Sequence, residues 1–101
     1  MAKIRVLVVY DSYFIRKTLS KLISNDNIEV VDTAANGLEA VQKVASLKPD
    51  LVTMDIEMPV MDGLTAVKEI MKSNPVPIIM VSTLTSNGAD ATMEALANGA
   101  V

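Results

Sequence analysis

Four short apolar runs, each rich in Val and Ile, alternate along the 101 residues with stretches whose apolar positions repeat at helical spacing. The runs are Ile4 to Val9, Ile28 to Val31, Leu51 to Met54 and Pro77 to Val81. Their hydrophobicity is near-continuous instead of strictly alternating, as in strands when both faces of a parallel sheet are covered. Strands that take turns with helices read as repeated βα units, and right-handed crossovers place those helices on the two faces of the sheet. The expected fold class is therefore α/β, a doubly wound parallel sheet in an αβα sandwich.

The helical stretches carry one apolar face each. Ile15, Leu19, Leu22 and Ile23 fall at i, i+4, i+7 and i+8, with Arg16, Lys17 and Lys21 on a face expected to be solvated. Leu38, Val41 and Ala45 repeat the pattern, as do Leu64, Val67 and Met71. A fourth, weaker helix is expected from about Ala89 to Ala97, with Met93 and Leu96 inward and Gly99 as its C-terminal cap. Half the residues are apolar, enough for one core and not for a second domain, so residues 1–101 read as a single unit. The run from Lys3 to Val9 is too short for a signal peptide and reads as a strand. No apolar stretch approaches the length that crosses a bilayer, and no membrane association is expected.

Missing residue types narrow the chemistry. The chain has no Cys and no His, which removes thiolate metal sites, Ser-His and Cys-His pairs and the commonest general base near neutral pH. Carboxylates, hydroxyls, lysines and a hard cation bound through oxygen remain. Twelve acidic against nine basic side chains give a net charge of -3, the wrong sign for a nucleic-acid surface. None of the four glycines forms GxGxxG or a phosphate-binding P-loop, which disfavours a flavin or dinucleotide enzyme, and no GxSxG is present for an esterase.

In a doubly wound sheet the ligand crevice lies beyond the carboxyl ends of the strands. Tyr10-Asp11-Ser12 follow the first run, Asp55 the third, and Ser82-Thr83 the fourth. Carboxylates from adjacent strand ends repel each other, and a bound cation, naturally Mg²⁺ among oxygen ligands, relieves the repulsion. Simpler roles compete: Asp11 alone reads more readily as a helix N-cap and Ser82 as a capping hydroxyl, Asp62 beside Gly63 as a turn or cap residue, and the seven Met residues as core filler. Asp55 resists that reading, because Pro59 and Gly63 stand at fixed turn-forming offsets behind it.

These segments resemble the receiver domains of two-component response regulators. Val8-Val9-Tyr10-Asp11-Ser12 is similar to the family's first-strand acidic motif, Asp55-Ile56-Glu57-Met58-Pro59 through Met61-Asp62-Gly63 to its phosphoacceptor loop, and Met80-Val81-Ser82 to its hydroxyl motif. Ile56-Glu57-Met58-Pro59 and Val81-Ser82-Thr83-Leu84-Thr85 most resemble the receiver portion of chemotaxis protein-glutamate methylesterases. The resemblance implies a flavodoxin-like sandwich in which Asp55 is the phosphoacceptor, Ser82 hydrogen-bonds the phosphoryl group, and Asp11, Asp55 and the backbone carbonyl of Glu57 bind Mg²⁺. It further implies a cytoplasmic signalling protein whose partners are a histidine kinase and an effector domain or downstream protein. Its only enzymatic chemistry would be its own phosphorylation and dephosphorylation.

Two positions depart from the family pattern. Tyr10 stands where the family usually has a second acid, which implies weaker Mg²⁺ binding. The chain reaches Val101 where the family's fifth strand, with its Lys-Pro, would begin. The resemblance therefore implies a receiver domain lacking most of its fifth βα unit, with the fourth strand at an open edge, so that the chain is expected either to self-associate into a homo-oligomer or to be much less stable than a version extended through the fifth strand and its helix. The same departures support an alternative, a pseudo-receiver that takes no phosphate and serves as a protein-protein interaction module.

Overall fold

A computed structural model describes residues 3–81 and 99. Within them the elements run β1 (Ile4–Val9), α1 (Tyr13–Ile23), β2 (Ile28–Ala34), α2 (Gly37–Leu47), β3 (Leu51–Met54), α3 (Gly63–Ser73) and β4 (Ile78–Met80). The strands form one sheet in the order β2-β1-β3-β4, with every neighbouring pair parallel. The strand order reverses between β1 and β3, which makes their carboxyl ends the switch point where a crevice opens. The fourth helix expected from Ala89 to Ala97, with Met93 and Leu96, lies outside the described residues. Gly99 has φ 111°, a conformation that suits a cap, although the helix it would close is not among them.

Both faces of the central strands are covered, which explains why they are apolar apart from Arg5 and Thr53. Leu7 and Val9 of β1 join Val52 and Met54 of β3 and the inner faces of α2 and α3 in one core. Val6 and Val8, the alternate positions of β1, are equally buried on the opposite face.

Two helices present different faces from those their hydropathy predicts. In α2 the buried positions are Gly37, Ala40 and Val44; Leu38 and Ala45 are exposed, and Val41 packs at the margin of the core. The face is turned by one residue because close approach, not hydropathy, selects it. The Gly37 amide donates to the Met61 carbonyl at 2.8 Å, and a Cβ on Gly37 would sit 2.5 Å from that oxygen. In α1 no residue is fully buried; Ile15, Leu19 and Ile23 are half-buried, whereas Leu22 is 75% exposed. The covered arc of α1 is turned toward Arg16 and Ser20, both half-buried, and away from Leu22. In α3 the expected face holds: Val67 is buried with Ala66 and Ile70, while Leu64 and Met71 pack against the core.

β2 runs three residues beyond the apolar run that announces it. Its pairing with β1 slips between Val6 and Leu7, whose partners are Val30 and Asp32, so Val31 is accommodated as a bulge. The helices are capped from the sequence immediately before them: Ser12, Asn36 and Asp62 accept from the amides of Ile15, Glu39 and Thr65. Asp62 thus has the capping role expected of it. Asp11 does not, because Ser12, one residue later, takes the cap.

Candidate functional site

The carboxyl ends of the strands are tied edge to edge. The Tyr10 amide donates to the Ala34 carbonyl at 3.0 Å, that of Asp55 to Val9 at 3.0 Å, and that of Val81 to Met54 at 2.8 Å. Val9 and Met54 are register partners, so one step further along the sheet Tyr10 and Asp55 stand side by side. Both are buried, with 6% and 5% exposure.

A carboxyl group at that depth is forced away from its ordinary ionisation. Burial pushes the Asp55 carboxyl up to about 6, the Asp11 and Glu57 carboxylates add to the rise, and hydrogen bonds from the Ile56 and Glu57 amides oppose it. The Ile56 bond, 2.8 Å to Oδ1, also fixes the orientation of the carboxyl group. The same surroundings act on Tyr10: burial pushes the pKa of its phenol above the usual tyrosine value, and the Asp55 and Asp11 carboxylates raise it further. The local imbalance is thus an excess of negative charge around a desolvated carboxylate, which is the condition a cation relieves.

Behind Asp55 the chain doubles back sharply. The Gly63 amide donates to the Ile56 carbonyl at 2.8 Å, and a Cβ at Gly63 would fall 1.9 Å from the carbonyl oxygen of Asp55. Between them Met61 donates to the Pro59 carbonyl at 2.7 Å across Val60, whose φ is 67°. A β-branched residue rarely adopts that conformation, and here the hydrogen bonds on both sides of the turn hold it. Pro59 and Gly63, read from the sequence as turn residues, therefore lock the loop that carries Asp55, Ile56 and Glu57.

Asp11 and Asp55 are brought together with Tyr10 as the strand ends predict, and Glu57, named only through the family resemblance, lies near enough to act on the Asp55 carboxyl. Ser82 and Thr83 lie outside the described residues. Sequence reading missed Arg16, assigned to a solvated face. Its Nη1 donates to the carbonyls of both Tyr10 and Asp11 at 2.9 Å, and its guanidinium lies 5.7 Å from the centre of the Tyr13 ring. Only its position four residues after Ser12, one turn into α1, hinted at such a reach.

Among the described residues no three acidic side chains gather into a metal cage. Mg²⁺ does not require one, since it keeps several waters and is commonly held by one or two carboxylates together with phosphate oxygens. The Asp11 and Asp55 carboxylates with the Glu57 carbonyl fit that pattern. No helix among the described residues is long and apolar enough to cross a membrane.

Comparison with known proteins agrees with this fold. The family model for the response regulator receiver domain matches residues 6–101. The chain is 60% identical over 99 residues to a protein-glutamate methylesterase/protein-glutamine glutaminase 1 of Vibrio cholerae, covering 97% of this chain and 26% of that protein. It therefore spans about a quarter of the length of such curated relatives. Among solved structures, the response regulator domain of Thermotoga maritima CheB superposes with a TM-score of 0.92 at 56% identity, covering 98% of this chain and 75% of that one. A chain from the CheX-CheY-BeF3-Mg²⁺ complex of Borrelia burgdorferi superposes with a TM-score of 0.88 at 36% identity, with coverage of 98% and 75%.

Proposed function

The chain belongs to the response regulator receiver domain family, and from that membership we propose that its chemistry is the acceptance of a phosphoryl group on Asp55 from a histidine kinase. The supporting observation is the buried Asp55 carboxyl group, fixed by the Ile56 amide at the switch point of the sheet and crowded by the Asp11 and Glu57 carboxylates. In the transfer a carboxylate oxygen of Asp55 forms the new O–P bond as the P–N bond of a phosphohistidine breaks, and the electron pair leaves with the imidazole. Asp11, Asp55 and the Glu57 carbonyl would hold Mg²⁺, which supplies positive charge between carboxylate and phosphoryl oxygens that otherwise repel. Ser82 would donate a hydrogen bond to the transferred group.

The methylesterase relatives suggest the output. We infer that phosphorylation controls an effector or partner of the chemotaxis protein-glutamate methylesterase kind, through the charge added at Asp55 and its effect on the neighbouring loops. A second reading, a protein-protein interaction module that takes no phosphate, is favoured by one observation: a buried Tyr10 where the family usually has an acid.

Beryllofluoride, a phosphoryl mimic, separates the two. With Mg²⁺ it should shift the amide resonances of Asp55, Ile56 and Glu57, and Asp55→Asn should abolish the shifts. A spectrum that stays the same with and without the mimic would support the interaction module instead.

A further inference from the structure

Arg16 holds three consecutive carbonyl groups. Its backbone amide donates to Ser12 at 2.9 Å as the first hydrogen bond of α1, and its Nη1 donates to Tyr10 and Asp11, each at 2.9 Å. These carbonyls belong to the segment that leaves β1, rounds the site and enters α1. Tyr10 is fixed from the other side by its amide bond to Ala34, and Ser12 by its cap on Ile15. Asp11 lies between two anchored residues, exposed, and among the described residues its backbone makes a single hydrogen bond, the one it accepts from Arg16. Stacking of the guanidinium over Tyr13 keeps the side chain bent back toward the loop.

We propose that Arg16 is a positioning residue for the cation site: by clamping the Tyr10 and Asp11 carbonyls it fixes the direction in which the Asp11 carboxylate points. The inference rests on the reading of Asp11 as a Mg²⁺ ligand, and it has a sign that simple electrostatics does not share. A guanidinium near a divalent cation repels it, so deleting the charge should by Coulomb's law tighten Mg²⁺ binding. Loss of positioning loosens it, because ligands that are not held by an outer shell lose their preorganised geometry.

The test is titration of the unphosphorylated 101-residue chain with Mg²⁺ alone, by calorimetry or amide shifts. It compares the parent, Arg16→Met, Arg16→Lys, Asp11→Asn and the Arg16→Met/Asp11→Asn pair. Arg16→Met keeps the aliphatic stem, and Arg16→Lys keeps the charge without the planar fork. Both single changes at Arg16 should raise the Mg²⁺ dissociation constant, Arg16→Met roughly tenfold. In the Asp11→Asn background, Arg16→Met should add little further loss, since the carboxylate it positions is gone. Unchanged or tighter binding in Arg16→Met, or an equal loss in both backgrounds, overturns the proposal while leaving the metal site standing. If Asp11→Asn itself binds Mg²⁺ as tightly as the parent, the reading of Asp11 fails and the proposal goes with it.

Discussion

Gly63→Ala should destabilise the domain by about 3 kcal/mol, the upper range for forcing atoms into a packed site. The direction is the informative part. Gly63 opens α3, and in a helix alanine is normally favoured over glycine by about 1 kcal/mol. Here the added methyl would lie 1.9 Å from the Asp55 carbonyl oxygen, 2.9 Å from its carbonyl carbon and 3.0 Å from the Ile56 Cα. All three are backbone atoms of the loop that carries the proposed phosphoacceptor, so no side chain can swing aside. Either α3 moves off the sheet or Asp55 is displaced, and phosphorylation should fall with stability. Urea unfolding of parent and variant measures the effect, and an unchanged or raised midpoint would show that the close approach of α3 to Asp55 is not as described.

Asp55→Asn should act in the opposite sense, stabilising the domain by on the order of 2–3 kcal/mol near pH 7.5. Folding raises the Asp55 carboxyl from its ordinary 3.8 to about 6, so between these values the folded state binds more protons than the unfolded chain. The contribution of this group to stability is fully present below about pH 4 and is lost as pH rises through about 6. Above that, the parent carries a desolvated carboxylate next to Asp11 and Glu57, which an uncharged amide avoids while still accepting from the Ile56 amide. The advantage of the variant should shrink toward zero as pH falls to about 4, and millimolar Mg²⁺ should narrow it at neutral pH by stabilising the parent. Denaturant melts across pH 4–8 test this. A gain that grows toward acid, or none at neutral pH, would mean that the carboxylate is compensated in a way these contacts do not reveal.

The fold was legible wherever hydrophobicity alone decides structure. β1 and β3, buried on both faces, begin and end where their apolar runs do. β2 was read short because Asp32 and Thr33 interrupt its apolar run, yet its backbone pairs with β1 through Ala34. The buried face of α2 escaped hydropathy because Gly37 and Ala40 lie inward for their size. Leu22 was placed inward on spacing, whereas α1 is turned toward Arg16 and Ser20.

At the site, strand-end position was enough to place Asp11 near Asp55, and the turn chemistry of Pro59 and Gly63 marked the loop. Arg16 was invisible for a physical reason: its partners are backbone carbonyls, which every residue carries and no motif records. The Asp11 cap reading failed by one residue, since Ser12 hydroxyl geometry suits the first turn of α1.

The most direct measurement is phosphorylation by a small acyl phosphate with Mg²⁺, followed by intact-mass analysis and peptide mapping of the parent and Asp55→Asn. The chain should gain a single phosphoryl group, confined to the peptide that contains Asp55 and absent from the variant. A phosphoryl group retained in Asp55→Asn, or mapped to Asp11 or Asp62 in the parent, would contradict the assignment of Asp55 as the phosphoacceptor.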